Sequence, residues 1–153
     1  MRGEALFQRE SSNSSVYGSR MKLTRLPDVY SVCRLPASDA PPCWLFQESS
    51  SNAFCSMTKT ADELSIVCQQ DLVPTSYKKA ERNWNVFKVE SAAATPTPTT
   101  LGNNLPLITQ PLADARISIF TMSTCGSDYL MIKIKQLDRA KQVLKAAGHI
   151  IEE

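Results

Sequence analysis

The sequence contains few of the residues on which enzyme active sites most often depend. Its 153 residues include one histidine, His149, and five glycines. It has no GxSxG nucleophile turn, no HExxH zinc motif and no glycine run that could cradle a phosphate. His149 follows a predicted helix, where an interaction with the helix C-terminus explains a histidine more simply than general-base catalysis does. The sequence therefore predicts a protein that is not an enzyme, with no cofactor and no metal site.

A strong charge of one sign and long apolar runs are also absent. The net charge is +2, and no basic block is interleaved with aromatic residues as in nucleic-acid-binding surfaces. No apolar run approaches the roughly 18 residues of a membrane span, and the first residues lack the apolar centre of a secretory signal. These absences argue against nucleic acid and membrane as partners, and they predict a cytoplasmic protein.

The sequence has five cysteines, an odd number with no two closer than ten residues, which fits neither a disulfide framework nor a CxxC metal site. Each lies in an apolar stretch, where a free thiol acts as a small hydrophobic side chain. Free thiols are typical of a reducing compartment. Cys68 and Cys125, which flank two predicted hairpin turns, are expected to be buried.

The pattern along the chain predicts three parts. Residues 1–25 are predicted to be a disordered, serine-rich tail, residues 26–80 a first unit and residues 81–153 a second unit. Within the second unit, residues 91–104 (SAAATPTPTTLGNN) are predicted to be a low-complexity loop.

The strand-forming segments of the first unit are rich in β-branched and aromatic residues. They are Val29–Leu35, 53–60 and 64–70, and the last two form a hairpin around the polar turn 61–63.

The second unit has the order strand, helix, strand, strand, helix, strand. The first helix is predicted to start near Asn104, with Pro106 in its first turn and a kink at Pro111. The second helix has its apolar face at Leu137, Ala140, Val143, Leu144 and Ala147, and Gly148 ends it. The four strands are predicted at 84–90, 117–124, 128–135 and 149–151. This order is the ferredoxin-like βαββαβ unit, so the predicted fold class is α+β.

The two predicted hairpins form an internal repeat. A shift of 65 residues places MTKTADELSIV, which starts at Met57, over MSTCGSDYLMI, which starts at Met122. In both copies a hydroxyl residue follows the methionine, and a carboxylate closes the turn before an apolar strand.

TKTADELSIVC (58–68) and ADARISIFTMSTCGSDYLMIK (113–133) resemble the tandem ACT domains of the CASTOR/aspartokinase-like group. VYSVCRLP (29–36), ERNWNVFKVE (81–90) and AAGH (146–149) match in the same order. The resemblance implies two ferredoxin-like units side by side in one extended antiparallel sheet, with helices on one face and reduced helices in the first unit. It also implies a small effector, usually an amino acid, bound where neighbouring units meet.

The resemblance implies effector contacts in both hairpins. Asp128 is the first candidate, because a carboxylate in this turn would bind an ammonium or guanidinium group. The other candidates are hydroxyl and acidic residues of the same two turns, namely Ser127, Ser123, Thr124, Asp62, Glu63, Thr58 and Thr60. The simpler alternative is that Asp62, Glu63 and Asp128 only terminate the hairpins, since Asp is favoured in turns.

Two positions depart from the family pattern. Family members usually carry a short glycine-containing turn after the first strand of the second unit, which 91–104 replaces with a longer loop. Arg116 stands where a helix-ending glycine is usual. The favoured hypothesis is an amino-acid sensor that acts by ligand-linked association with a protein partner or a second copy. The alternative is an interaction module of the same fold that binds no ligand and dimerises through sheet edges or helices.

Overall fold

The computed structural model describes residues 20–46, 54–91 and 98–153, the side chains at 91 and 98–104 excepted. The described part consists of strands, two α-helices and short 3-10 helices. The strands are β1 Met21–Pro36, β2 Ser56–Lys59, β3 Glu63–Gln69, β4 Ala80–Ser91, β5 Ile119–Ser123, β6 Asp128–Lys133 and β7 Ile150–Glu152. The helices are α1 Pro98–Asp114 and α2 Leu137–Ala146, with 3-10 turns at Cys43–Phe46, Gln70–Leu72 and Ile134–Gln136.

All seven strands belong to one sheet, which is antiparallel except at one pair. The strand order is β2-β3-β1-β4-β6-β5, and β7 pairs in parallel with residues 22–24 of β1. The long strand β1 therefore pairs with different strands along its length. Its C-terminal part pairs with β3, and its N-terminal part lies between β4 and β7.

From β4 onward the element order is the predicted βαββαβ order, and the mixed helix and sheet content agrees with an α+β fold of the ferredoxin-like kind. The sheet differs from a simple unit at one point. The N-terminal part of β1 separates β4 from β7, which would otherwise be neighbours.

Helices α1 and α2 cover one face of the sheet and bury most of the apolar core there. Alternate residues of each strand point to one face, and Leu23, Phe87 and Leu130 pack against Ile108 and Leu144. On the same face of the first half, the 3-10 turns replace helices, and Leu45 and Val73 cover Ile66. Between β1 and β4, the described residues contain 3-10 turns and no α-helix, whereas residues 47–53 lie outside the described part.

The opposite face holds a third apolar cluster that carries no described helix. Tyr30, Val67, Trp84, Val86 and Met131 are all at most 5% exposed. Curling of the sheet explains this burial, because the outermost strands β2 and β5 line a common groove on this side.

Both α-helices end in the same hydrogen-bond pattern. At the end of α2, the amides of Gly148 and His149 bond to the carbonyls of Lys145 and Leu144, with Gly148 at φ +90°. At the end of α1, the amides of Arg116 and Ile117 bond to the carbonyls of Ala113 and Leu112, with Arg116 at φ 56°. These are Schellman motifs, which place the residue after the helix in a left-handed conformation. Gly148 is therefore confirmed as the helix stop, and Arg116 occupies a position that favours glycine.

Two predicted boundaries are wrong. Strand β1 begins at Met21, within the predicted tail 1–25, because Met21 and Leu23 are completely buried under the helices. Helix α1 begins at Pro98, within the predicted loop 91–104, and contains both Pro106 and Pro111. A proline suits a helix start because its missing N–H would have had no intrahelical partner there. Residues 1–19 of the predicted tail and 92–97 of the predicted loop lie outside the described residues.

Candidate functional site

The two predicted hairpins have the same turn. In the first, the Thr60 amide donates to the Glu63 carbonyl at 2.9 Å, and the Thr60 Oγ1 accepts from the Glu63 amide at 3.1 Å. In the second, the Thr124 amide donates to the Ser127 carbonyl at 2.8 Å, and the Thr124 Oγ1 accepts from the Ser127 amide at 3.1 Å. Thr60, Thr124 and the main chain of Ser127 therefore hold the turns in shape.

The structural repeat has a shift of 64 residues, so the shift of 65 predicted from residue identity is wrong. Lys59 pairs with Leu64 in the first hairpin, and Ser123 pairs with Asp128 in the second. Asp128 consequently corresponds to Leu64, and Ser127 corresponds to Glu63. A one-residue shift in a strand exchanges its two faces, so Asp128 points to the helix-covered face as Leu64 does.

The two turns lie at opposite ends of the sheet. Leu64 pairs with Leu35, close to the C-terminal end of β1. Asp128 pairs with Val89, which pairs with Leu23 close to the N-terminal end of β1. The candidate residues of the two turns therefore form two separate groups.

Asp128 is the most unusual polar residue in this set. It is 5% exposed and points to the same face as Leu130 and Ile132, which α1 and α2 cover. Its Oδ1 accepts a hydrogen bond from the Ser123 hydroxyl at 2.6 Å. Its Oδ2 is buried and has no hydrogen-bond partner in the described part of the chain. Most buried polar groups are hydrogen-bonded, so a carboxylate oxygen without a partner calls for an explanation.

The acidic residues of the first turn have ordinary surroundings. Glu63 forms an ion pair with Arg34 at 2.5 Å. Asp62 is exposed, and its amide donates to the Thr60 Oγ1 at 3.2 Å. Both observations fit the alternative in which these carboxylates terminate a hairpin and stabilise it weakly.

Two candidate residues from different hairpins line one groove between the outer strands. Thr58 of β2 and Ser123 of β5 lie on this groove, which has a volume of about 190 Å³. The remaining lining residues are mostly hydroxyl or apolar and carry no charge, namely Ser56, Ser65, Val67, Phe120, Thr121 and Met122. Within the described residues, this groove thus brings Thr58 of the first set and Ser123 of the second together, although the turns themselves are apart.

Sequence analysis did not identify the role of His149, which is 8% exposed. Its Nδ1 accepts a hydrogen bond from the Met21 amide at 3.3 Å, and its Nε2 lies 3.0 Å from the Leu107 carbonyl. Only the tautomer with hydrogen on Nε2 satisfies both contacts. The imidazole therefore joins β1, α1 and the segment after α2. The sequence signal that could have placed His149 beside the helix end was Gly148, which forms the Schellman motif.

The cysteines divide into two buried and three exposed thiols. Cys33 and Cys68 are buried, whereas Cys43, Cys55 and Cys125 are exposed, so the expectation of a buried Cys125 is wrong. A hydrogen bond with Cys33 and burial together raise the pKa of the Cys68 thiol, which disfavours the reactive thiolate.

The described residues contain neither a metal-binding cluster nor a membrane-spanning helix. No group of three His, Cys, Asp or Glu side chains that could hold a metal ion occurs among residues 20–46, 54–91 and 98–153. No helix in this part of the chain is long and apolar enough to cross a membrane.

Comparison with protein families identifies two segments. A family model described as an ACT domain matches residues 79–146, and a model described as an N-terminal domain matches residues 28–76. A comparison with curated protein sequences gives no match.

Solved structures extend the likeness over most of the chain. Protein Atu0741 from Agobacterium tumefaciens is 32% identical, with a TM-score of 0.75 over 88% of this chain and 93% of its own. A Vibrio cholerae protein of unknown function, VC0802, described as a possible transport protein, is 14% identical with a TM-score of 0.56, over 83% of this chain and 89% of its own. The aspartate kinase of Clostridium acetobutylicum, described as an allosteric enzyme, is 11% identical with a TM-score of 0.52, over 88% of this chain and 35% of the kinase. The last two likenesses show the fold alone.

Proposed function

The chain belongs to the same family as protein Atu0741 and contains an ACT domain at residues 79–146, and from this premise we propose that it is a regulatory protein that binds an amino acid. We assign it no catalytic role, and a cytoplasmic location remains part of the proposal. The likeness to an allosteric aspartate kinase supports a regulatory fold but does not identify a ligand.

The observation that carries the proposal is the Oδ2 of Asp128, which is buried without a hydrogen-bond partner among the described residues. A carboxylate that is 5% exposed loses most of its hydration, and one hydroxyl donor from Ser123 does not replace it. A cationic ligand group would supply the missing charge-assisted hydrogen bond. The ammonium of an amino acid, or the side chain of a basic one, has this chemistry.

Ser123 of the outer strand β5 lies next to this carboxylate, which faces the helices, and also borders the groove between β2 and β5 on the opposite face. Its hydroxyl bonds to Asp128, and the residue also lines the groove with Thr58. A ligand that displaced this hydroxyl bond could use Ser123 and Asp128 together, whereas the turn hydroxyls of Thr60 and Thr124 are already engaged.

The tandem arrangement of two ACT-like units of the CASTOR type is part of the same proposal. Strands β1 to β4 lie in the order β4-β1-β3-β2, which is the order of the four strands in a ferredoxin-like unit. Strands β4 to β7 would form a second unit, into which the N-terminal part of β1 is inserted. In this arrangement β4 is shared, and the boundary at residue 80 falls at its first residue.

A thermal-shift screen against the twenty common amino acids tests the proposal. A ligand at about 100 times its dissociation constant stabilises the folded state by about 2.7 kcal/mol. A basic amino acid should raise the unfolding midpoint of the protein, and Asp128→Asn should reduce the response. If no amino acid shifts the midpoint, the sensor function is refuted.

The exposed edges of the sheet favour a second candidate, an interaction module that dimerises without a ligand. The outermost strands β2 and β5 expose Met57 and Phe120, which are 45% and 37% exposed. Edge strands with exposed apolar side chains are sites of association. Light scattering over a range of concentrations separates the two functions, because a ligand-independent dimer supports the module and a ligand-dependent one supports the sensor.

A further inference from the structure

A cationic cavity lies where β4 begins and β6 ends, and none of the candidate residues above lines it. It has a volume of about 370 Å³ and is lined by Arg82, Asn83, Lys133, Ile134 and Lys135. This volume lies within the range of roughly 300–1,000 Å³ that is typical of small-molecule sites. Three of the five lining residues carry a positive charge, and none carries a negative one.

Two of the three cationic side chains are held in place by bonds to the surrounding chain. The Arg82 guanidinium donates through one nitrogen to the carbonyls of Val73 at 3.3 Å and Pro74 at 3.0 Å, which leaves its other donors available. The Lys133 Nζ donates to the Arg82 carbonyl at 2.9 Å and lies 4.1 Å from the centre of the Trp84 ring. Such pre-positioned cations lose little side-chain entropy when they bind an anion.

The backbone between these cations is also constrained. Asn83 has a left-handed φ of 65°, and its amide donates to the Gln70 Oε1 at 2.7 Å. Asparagine is one of the few non-glycine residues that adopt this conformation readily, so the residue fits its position. The bulge at Asn83 places Arg82 beside Lys133, although the two residues lie on different strands.

The carboxylates near the cavity do not neutralise it. Glu81 lies 3.5 Å from Lys133, but its side chain is 71% exposed, so solvent screens this pair strongly. Within the described residues, Arg82 and Lys135 form no ion pair with a carboxylate. The carboxylate of Glu81 and the three cationic side chains together give the surroundings of the cavity a net charge of about +2.

We propose that this cavity binds a small molecule that carries a phosphate group. A phosphate monoester has a charge of about −1.5 to −2 at pH 7, which matches the local charge better than a single carboxylate does. The free donors of Arg82 suit phosphate oxygens, and the exposed side chain of Ile134 offers an apolar contact for the organic part of the ligand. This site is independent of the amino-acid site proposed at Asp128.

Isothermal titration of the full chain with inorganic pyrophosphate tests the proposal, with sodium acetate at matched ionic strength as the reference. We expect saturable binding of pyrophosphate and none of acetate. Lys135→Gln should weaken binding about ten-fold, because it removes one charge-assisted hydrogen bond from an exposed side chain that the fold does not need. Lys145→Gln, which removes the same charge from an exposed position on α2, should leave the affinity within about two-fold.

Asp128→Asn provides the test of independence and should leave pyrophosphate binding unchanged. The proposal is overturned if pyrophosphate binds no better than acetate. Equal weakening by Lys135→Gln and Lys145→Gln would also overturn it, because the binding would then reflect general surface charge.

Discussion

The substitution Asp128→Asn separates a ligand-binding carboxylate from one that only terminates a hairpin. Asparagine has nearly the same shape, and its Oδ1 can still accept the hydrogen bond that the Ser123 hydroxyl donates at 2.6 Å. The substitution removes the negative charge and the acceptor at Oδ2, which is buried and has no hydrogen-bond partner in the part of the chain that the structure describes. The fold should therefore persist while the affinity for a cationic ligand group falls.

The expected magnitude follows from one lost bond to a charged group. Such a bond contributes about 1.5–3 kcal/mol, which corresponds to a weakening of roughly 10- to 150-fold. At a ligand concentration 100 times the wild-type dissociation constant, the wild type gains about 2.7 kcal/mol, and a variant weakened about 30-fold gains about 0.9 kcal/mol. For a chain of this length the midpoint should then rise by about 5 to 11 °C in the wild type and by about 2 to 4 °C in the variant.

Asp62→Asn is the matched control, because Asp62 is an exposed acid in the equivalent turn at the opposite end of the sheet. It should leave the ligand response of the wild type intact. An Asp128→Asn variant that keeps the full midpoint shift would refute the assignment of Asp128. A response lost in Asp62→Asn and kept in Asp128→Asn would move the site to the first hairpin.

Three further substitutions test the structure itself. Arg116→Gly should raise the free energy of unfolding by about 1 kcal/mol in urea titration, because Arg116 has a left-handed φ of 56° at the end of α1; a loss of stability would contradict that geometry. His149→Ala should lower the same free energy by about 2–4 kcal/mol, because it leaves the Met21 amide and the Leu107 carbonyl without their partner; a loss below about 0.5 kcal/mol would contradict the bridge. Burial, aided by the charge of Asp28, raises the pKa of Tyr30 from 10.0 to about 12. Tyr30 therefore ionises at a lower pH in the unfolded chain than in the folded protein. Its contribution to the free energy of unfolding is fully present below about pH 10 and should fall by about 2–3 kcal/mol as the pH rises to about 12. Tyr30→Phe should lack this part of the alkaline loss, and an identical pH profile would refute it.

The sequence predicted the elements from β4 onward because their signals are local. The apolar spacing of α2 and the glycine after it lie within one short segment, and four of the five predicted face residues, Leu137, Ala140, Val143 and Leu144, pack in the core. Ala147 is exposed because it follows the last helical turn. The start of β1 has no such local signal, since its partner β7 lies about 128 residues further along the chain.

The candidate site was predictable only in part, for the same reason. Asp128 stands out in sequence as a carboxylate after a turn, but its burial depends on helices that pack over β6. Residue identity gave a repeat of 65 residues, whereas backbone pairing gives 64. Residue identity aligns Met57 with Met122, whereas strand pairing aligns Thr60 with Thr124, whose hydroxyls close the two turns. Hydrogen-bond geometry, rather than matching residue types, therefore defines the repeat.

Strand β1 determines how a ligand at one end of the sheet would affect the rest. Its C-terminal part completes the first half with β3, and its N-terminal part lies between β4 and β7 in the second. Neither half has its full set of backbone hydrogen bonds without this strand, so the two should unfold together in one transition. Stabilisation by a ligand at Asp128 should consequently shift the whole unfolding curve. Two separate transitions, of which the ligand moves only one, would mean that the halves fold independently despite the strand that they share.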